Sequence, residues 1–132
     1  MENEIFQLTE MLIADEHFAV GNDLVFIPDF KKSFNYDFKR KVYTENEISY
    51  CNQFDNSLLR YASTWAAKEA VYKALKQVDP SAVSWKKIEI IRKKVAGKPD
   101  VILHTENKHR ISLSLSHDAD YVWAIALLKT SF

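Results

Sequence analysis

The feature that most constrains the fold of this 132-residue chain is a change in the period of its apolar residues near Pro80. Before this proline, apolar residues recur with helical spacing, most clearly at residues 57–77. After it the period becomes two, and the segment RISLSLSH at residues 110–117 alternates strictly between apolar residues and serine. Helices followed by antiparallel strands predict an α+β fold in which a long helix packs on an antiparallel sheet.

Local signals indicate the other predicted elements. Thr44 and Glu47 have the spacing of a capping box, which predicts a short helix that ends near Phe54. The last strand, at residues 121–129, is apolar on both faces, so we expect it at the centre of the sheet. The remaining predicted elements are a helix at 2–17, strands at 19–27, 85–92 and 100–104, and a turn at 97–99.

Composition excludes several classes of protein. The chain has 18 Lys plus Arg and 18 Asp plus Glu, and this zero net charge argues against a general nucleic-acid binder. Its one cysteine, Cys51, cannot form a disulfide within the chain, which favours a reducing compartment. No apolar run approaches the roughly 18 residues that span a membrane, and the acidic N-terminus lacks the basic region of a signal peptide. We therefore expect a cytoplasmic protein with a single domain over residues 1–132.

Two charged residues interrupt an apolar face of the long predicted helix. Glu69 and Lys73 are four residues apart, so they are neighbours on a face that includes Ala62 and Ala66. One interpretation is an ordinary helix ion pair whose charged ends reach solvent. The other is that this face borders a polar cleft, in which the carboxylate binds a metal ion and the ammonium group binds phosphate. Spacing alone leaves both interpretations open.

A further carboxylate, Asp23, interrupts an apolar predicted strand two residues after Gly21. Aspartate is disfavoured inside strands, so Asp23 is either an edge or strand-end residue or a ligand. A second carboxylate would complete the pair of protein ligands that Mg²⁺ commonly takes, which leaves sites for phosphate oxygens and water. The chain contains no zinc-ligand spacing, Walker loop, dinucleotide-binding glycine pattern or nucleophile elbow.

Several segments occur in the order of one family's motifs. GND, WAAKEAVYKAL, GKP and SLSH, followed by DYVWAIAL, resemble the 4′-phosphopantetheinyl transferases, specifically the small holo-acyl-carrier-protein synthase type. The most specific part is KEA with a lysine four residues after the glutamate. The resemblance extends from about Gly21 to Leu128 and leaves residues 1–20 as an N-terminal extension, expected to be helical.

The resemblance implies an activity and a set of site residues. The phosphopantetheine arm of coenzyme A is transferred to a serine of an acidic acyl carrier protein, with Mg²⁺ as the metal and 3′,5′-ADP as the leaving group. Asp23 and Glu69 correspond to the metal ligands, and Lys73 to a lysine that contacts the coenzyme A phosphates. The resemblance also implies a homotrimer with active sites between subunits. It further assigns to the coenzyme A site the residues Lys68, Gly97, Lys98, Ser116 and His117.

The chain departs from the family pattern at two positions. Asp29 stands where the small type usually has an arginine that meets the carrier protein, and Thr64 stands where an arginine is usual in the helix. We expect the basic residues after Asp29 to dock an acidic carrier instead, although a solvated basic loop would have the same composition. These basic residues are Lys31, Lys32, Lys39, Arg40 and Lys41.

Two non-enzymatic alternatives remain. One is a module that only binds the carrier, and the other is a coenzyme A-binding regulatory protein.

Overall fold

The structure is a computed structural model that describes residues 2–15, 18–93 and 97–130. Within these residues the structure has five α-helices, all before residue 77, and five strands, the first of which lies between the first two helices. The helices are α1 Glu2–Asp15, α2 Ile27–Ser33, α3 Tyr36–Val42, α4 Glu45–Cys51 and α5 Ser57–Lys76. The strands are β1 Phe18–Phe26, β2 Ile88–Ile91, β3 Asp100–Leu103, β4 Arg110–Asp118 and β5 Tyr121–Lys129.

The strands form two antiparallel sheets. One contains three strands in the order β1-β5-β4, and the other pairs β2 with β3. β5 is therefore the central strand of the larger sheet, as its apolar sequence predicts. The α+β architecture with a long helix packed on an antiparallel sheet is confirmed.

Close approach of α5 to β1 depends on small side chains. A Cβ atom added to Gly21 would lie 1.9 Å from the backbone oxygen of Ala70 and 2.7 Å from the backbone nitrogen of Ala74. Real Cβ atoms do not approach backbone atoms so closely, so glycine is required at this position. Ala66, Ala70 and Ala74 are completely buried on the facing side of α5. The interrupted apolar face recognised in the sequence is therefore the face by which α5 contacts the sheet.

Predicted boundaries agree with the structure to within a few residues. α5 ends one residue before the predicted limit, and the capping box is formed, because Glu47 N–H donates to Thr44 Oγ1 while Thr44 N–H donates to Glu47 Oε1. α4 ends at Cys51, before the predicted limit near Phe54, since a turn begins at Asn52. The strand predicted at 85–92 starts only at Ile88, because Trp85–Lys87 forms one 3₁₀ turn. Residues 16 and 17 of the predicted first helix lie outside the described residues.

Sequence patterns did not predict α2 and α3. Each has seven residues, which is too short for a helical period to repeat. Pro28 lies in the first turn of α2, where the missing N–H costs no hydrogen bond. The two helices are held by aromatic packing, with ring centroids 5.3 Å apart for Phe30 and Phe34 and 5.8 Å apart for Phe30 and Phe38. The basic residues between 31 and 41 therefore lie on helices, and their interpretation as a loop is wrong.

The two faces of the larger sheet differ in what covers them. α5 covers the inner face, where Val122, Ala124 and Ala126 are buried. The outer face exposes large apolar side chains, including Leu24 at 62% and Trp123 at 48%. In the part of the chain that the structure describes, no helix has the length and apolar character needed to cross a membrane.

Candidate active site

A cleft of about 430 Å³ lies where β1, α2 and α5 meet. Asp23 and Glu69 line it together with Asp29, so three carboxyl groups face one cavity. Its remaining lining is largely aromatic and comes from Phe26, Phe30, Phe38 and Trp65. The cleft thus combines an acidic end with an apolar wall.

Asp23 is held by a lysine from the facing helix. Alternation along β1 turns its side chain towards α5, and the residue is only 7% exposed. Lys73 Nζ donates to Asp23 Oδ1 at 2.9 Å and to the backbone oxygen of Asn22 at 3.1 Å. The structure therefore pairs Lys73 with Asp23. The helix ion pair between Glu69 and Lys73, one of the two interpretations of their spacing, is not among the ion pairs of the described residues. The Lys73 side chain is 53% exposed, so it is also accessible from solvent.

The carboxyl group of Asp23 acts on that of Glu69. The pKa of Glu69 is raised to about 8, first by burial and then by the neighbouring carboxyl group of Asp23, while Lys73 opposes the rise. Asp23 Oδ2 is buried and has no hydrogen-bond partner among the described residues. A buried carboxylate oxygen without a partner needs a cation or a donor, so this pair fits a hard divalent cation such as Mg²⁺.

Sequence comparison agrees with this arrangement. A family model of the 4′-phosphopantetheinyl transferase superfamily matches residues 19–126. This chain belongs to that superfamily. The matched stretch contains the three residues of the cluster, Asp23, Glu69 and Lys73, and begins after α1.

Curated relatives in the superfamily are holo-acyl-carrier-protein synthases. The one from Chlamydia trachomatis serovar D is 34% identical over 118 residues, which cover 85% of this chain and 99% of the relative. The one from Moorella thermoacetica is 38% identical over 100 residues, which cover 70% of this chain and 77% of the relative.

Solved structures of similar fold come from the same group of transferases. The Chronobacterium ammoniagenes synthase in complex with coenzyme A has a TM-score of 0.74 and 29% identity, and the match covers 89% of this chain and 100% of that one. The Helicobacter pylori holo-acyl-carrier-protein synthase in complex with coenzyme A has a TM-score of 0.67 and 27% identity, with coverage of 83% and 99%.

Lys68, assigned to the coenzyme A site by the family resemblance, lies in the interior of the chain. Its side chain has no exposed surface, and Nζ lies 2.7 Å from Glu47 Oε1 and donates to the backbone oxygen of Trp85 at 2.9 Å. The second oxygen of Glu47 accepts a hydrogen bond from Ile90 N–H at 2.8 Å. The ion pair therefore ties α5 to α4 and β2, and Lys68 does not line the cleft that contains Glu69.

The remaining four predicted residues lie away from the cleft of the same chain. Register places Leu24, Trp123 and Ser116 in one row across the outer face, whereas Asp23 points to the inner face. A small cavity of about 240 Å³ on this side is lined by Leu24, Trp123, Ser116 and His117. Gly97 and Lys98 are exposed in the β2–β3 connection. The sheet thus separates Ser116 from Asp23 within one chain.

Two residues that contact α5, Glu47 and Arg92, were not predicted from the sequence. Glu47 was recognised only as the capping-box residue, because its ion pair with Lys68 joins positions 21 residues apart. Arg92 donates to Thr64 Oγ1, so a guanidinium from the end of β2 lies at the α5 position where the family usually has an arginine. No local signal could have shown either contact, since both depend on how α5 packs.

Proposed function

We infer that the protein is a transferase of the holo-acyl-carrier-protein synthase type. It moves the 4′-phosphopantetheine arm of coenzyme A to a serine hydroxyl of an apo acyl carrier protein and releases 3′,5′-ADP. The observation that carries this conclusion is that Asp23 and Glu69 line one cleft while Lys73 binds Asp23, in a chain that belongs to the superfamily. Relatives named for this activity, and solved relatives in complex with coenzyme A, support it.

Asp23 and Glu69 would hold Mg²⁺. Two observations support the fit of this pair to a metal ion. Asp23 Oδ2 has no partner, and the raised pKa of Glu69 indicates that the two carboxyl groups favour a positive charge between them. When bound, the metal ion supplies positive charge that offsets the negative charge of the coenzyme A diphosphate. Asp23 also fixes the position of Lys73 through the 2.9 Å contact.

Lys73 is suited to stabilise the departing phosphate. Its ammonium group has three donors, of which Asp23 and the Asn22 oxygen take two. The third donor and the exposed side of the group remain for a phosphate oxygen. In the transfer, the serine hydroxyl gives its proton to a base and its oxygen bonds to the β-phosphorus. The bond from that phosphorus to the bridging oxygen breaks, and the bridging oxygen leaves with its electron pair on 3′,5′-ADP. A fixed ammonium group then neutralises the charge that develops on the leaving group.

The test of this function is transfer itself. Apo-carrier incubated with the protein, coenzyme A and Mg²⁺ should gain the mass of phosphopantetheine. Asp23→Ala or Glu69→Ala should lower turnover by about 10²–10³-fold, as expected when a group that stabilises transition-state charge is lost. Asp55→Asn, which changes an exposed acid outside the cleft, should leave turnover unchanged. Carrier binding without any gain of mass would instead identify one of the non-enzymatic alternatives.

We also propose that the active protein is a homotrimer with its sites between subunits. The exposed apolar outer face supports an interface there, because monomeric proteins rarely leave large contiguous apolar patches exposed. The position of Ser116 supports it too, since β4 of one chain can border the cleft of a second chain more readily than its own. Ile125→Asp on this face should give a folded, inactive monomer by light scattering, whereas Ser112→Asp should perturb assembly less. An active wild-type monomer would refute the interfacial site.

Carrier docking is proposed for the basic ends of α2 and α3. Lys31 and Lys32 are exposed in the last turn of α2, close in sequence to Asp29 at the cleft. Asp29 lies 3.6 Å from Lys32, and such an exposed pair contributes little to stability, so both groups can turn towards a partner. An acidic surface on the carrier would thereby meet positive charge beside the entrance to the cleft.

A further inference from the structure

Two arginines form a paired stack outside the active-site cleft. The guanidinium of Arg92 lies over the ring of Tyr50, 4.5 Å from its centroid, and that of Arg60 lies over Phe54 at 4.3 Å. The two rings are themselves in contact, with centroids 5.1 Å apart. Two positive charges are therefore placed side by side where α4 and the segment after it meet α5 and β2.

These two charges are not neutralised by a direct ion pair in the described part of the chain. Neither guanidinium takes part in an ion pair there, and the Nε atom of each is buried without a hydrogen-bond partner. The contacts that Arg92 does make, to Thr64 Oγ1 and the backbone oxygen of Arg60, are to neutral acceptors. Burial lowers the pKa of Arg92, and the positive charge of Arg60 acts in the same direction, whereas Tyr50, Cys51 and Glu47 oppose the shift. Aromatic faces offset only part of this charge, so the pair favours an anion.

A cleft of about 350 Å³ opens beside Arg92 and gives such an anion access. Its lining includes Asn46, Ser49 and Gln53, whose amide and hydroxyl groups can donate hydrogen bonds. Arginine presents a planar fork of donors that matches phosphate oxygens. The cavity therefore combines the Arg92 guanidinium with neutral donors, and the charge of Arg60 acts on Arg92 from outside the lining, which favours a phosphate group in the cavity.

This location differs from that of the metal cluster. Thr64, which Arg92 contacts, precedes Glu69 by five residues on α5. At 3.6 residues per turn, the two side chains point about 140° apart around the helix. The arginine pair is therefore on another side of α5 from the Asp23–Glu69 pair.

We propose that the cleft beside Arg92 binds a phosphate group, with Arg60 supplying a second positive charge next to Arg92. Two sources share this chemistry. One is the phosphate monoester that coenzyme A carries in addition to its diphosphate, and this source rests on the proposed function. The other is a separate phosphate ion, which would bind whether or not the protein is a transferase.

The first experiment uses inorganic phosphate alone. Thermal unfolding of the full chain is measured in phosphate and in chloride at equal ionic strength. Phosphate should raise the Tm of the wild type, because a ligand that binds only the folded state stabilises it. Arg60→Gln and Arg92→Gln should lose most of this rise, and Arg92→Lys should keep part of it. Lys93→Gln removes the same charge from an exposed neighbouring residue and should keep the full rise.

The second experiment identifies the source. The KM for coenzyme A is compared with that for coenzyme A lacking its 3′-phosphate. If coenzyme A supplies the phosphate, the wild-type KM for complete coenzyme A should be lower than that for the form without the 3′-phosphate, on the order of tenfold. Arg60→Gln should abolish this difference by raising the KM for complete coenzyme A while leaving the other KM unchanged. If Arg60→Gln loses the phosphate-dependent rise in Tm but leaves the preference unchanged, the ligand is a separate phosphate ion.

The proposal is overturned if both glutamine variants keep the full phosphate-dependent rise, or if Lys93→Gln loses as much as they do. Arg60→Gln protects the test against misfolding, because the Arg60 side chain makes no hydrogen bond within the described chain, whereas Arg92 binds α5. Failure of the protein to modify any carrier would refute the proposed function but would leave the phosphate measurement valid.

Discussion

Lys68→Met tests whether the buried lysine is part of the framework or a contact for coenzyme A. Lys68 is completely buried and Glu47 is 2% exposed, with 2.7 Å between Nζ and Oε1. Removing one partner of such a pair leaves a buried charge and costs about 3–5 kcal/mol. Domains of this size are stable by about 5–15 kcal/mol, so the variant should lose a large fraction of its stability, and its Tm should fall by roughly 10–20 °C.

A double variant separates the ion pair from the other contacts of Glu47. Glu47→Leu breaks the same pair and also removes the acceptor of Ile90 N–H and half of the capping box at Thr44. Each of these losses costs about 1–2 kcal/mol, so Glu47→Leu should be at least as destabilising as Lys68→Met. Lys68→Met combined with Glu47→Leu should cost several kcal/mol less than the sum of the two single changes, because no charge is then left buried without a partner.

The stability deficit of Lys68→Met should depend on pH. Burial raises the pKa of Glu47 in the folded chain, and loss of Lys68 removes the main interaction that opposes this rise. A carboxyl group whose folded pKa lies above its unfolded pKa stabilises the folded state at low pH, and this contribution is lost as pH rises through the folded value. The deficit should therefore be smallest in acid and should grow towards neutral pH.

Urea unfolding followed by tryptophan fluorescence measures the stability, and the KM for coenzyme A is measured on the same preparations. Lys86→Met, an exposed change in the turn before β2, should alter the unfolding free energy by less than about 0.5 kcal/mol. Wild-type stability of Lys68→Met combined with a strongly raised KM for coenzyme A would refute the structural role and support the direct contact implied by the family resemblance.

Three further predictions follow from the site. Gly21→Ala should destabilise the protein by about 1–3 kcal/mol or more and lower the transfer rate, because the added Cβ atom would collide with backbone atoms of α5. An unchanged unfolding free energy in urea would contradict this prediction. In metal-free protein, stability should fall as pH rises from about 4.5 to about 8, since folded Glu69 keeps its proton over that window. Glu69→Gln should remove this slope while abolishing transfer, and equal slopes in the wild type and the variant would argue against a proton held by folded Glu69. Changing Lys31 and Lys32 to glutamate should raise the KM for the carrier at low salt and leave the KM for coenzyme A almost unchanged. Asp29→Arg should leave the carrier KM unchanged or lower it. If the lysine changes leave the carrier kinetics unaltered at every ionic strength, the carrier docks elsewhere.

Sequence alone determined the elements whose signals are local. The long helix α5, the capping box of α4 and the alternating strand β4 each rest on contacts between residues a few positions apart, and each is confirmed. The order of the motifs also identified the superfamily. Helices α2 and α3 were not predicted because seven residues carry no repeated period, and aromatic packing rather than propensity holds them in place.

Tertiary structure decided which charged groups meet. Lys73 has Glu69 as its helical neighbour in the sequence, yet it pairs with Asp23, which lies 50 positions away. That contact exists because Gly21 lets α5 approach β1 until Ala70 touches its backbone. The close approach brings the two carboxyl groups into one cleft and the Lys73 ammonium onto Asp23. A helical period reports which residues share a face, but not how far that face lies from another strand. The distance depends on packing, and packing also turned Lys68 inward to Glu47, although it is adjacent in sequence to Glu69.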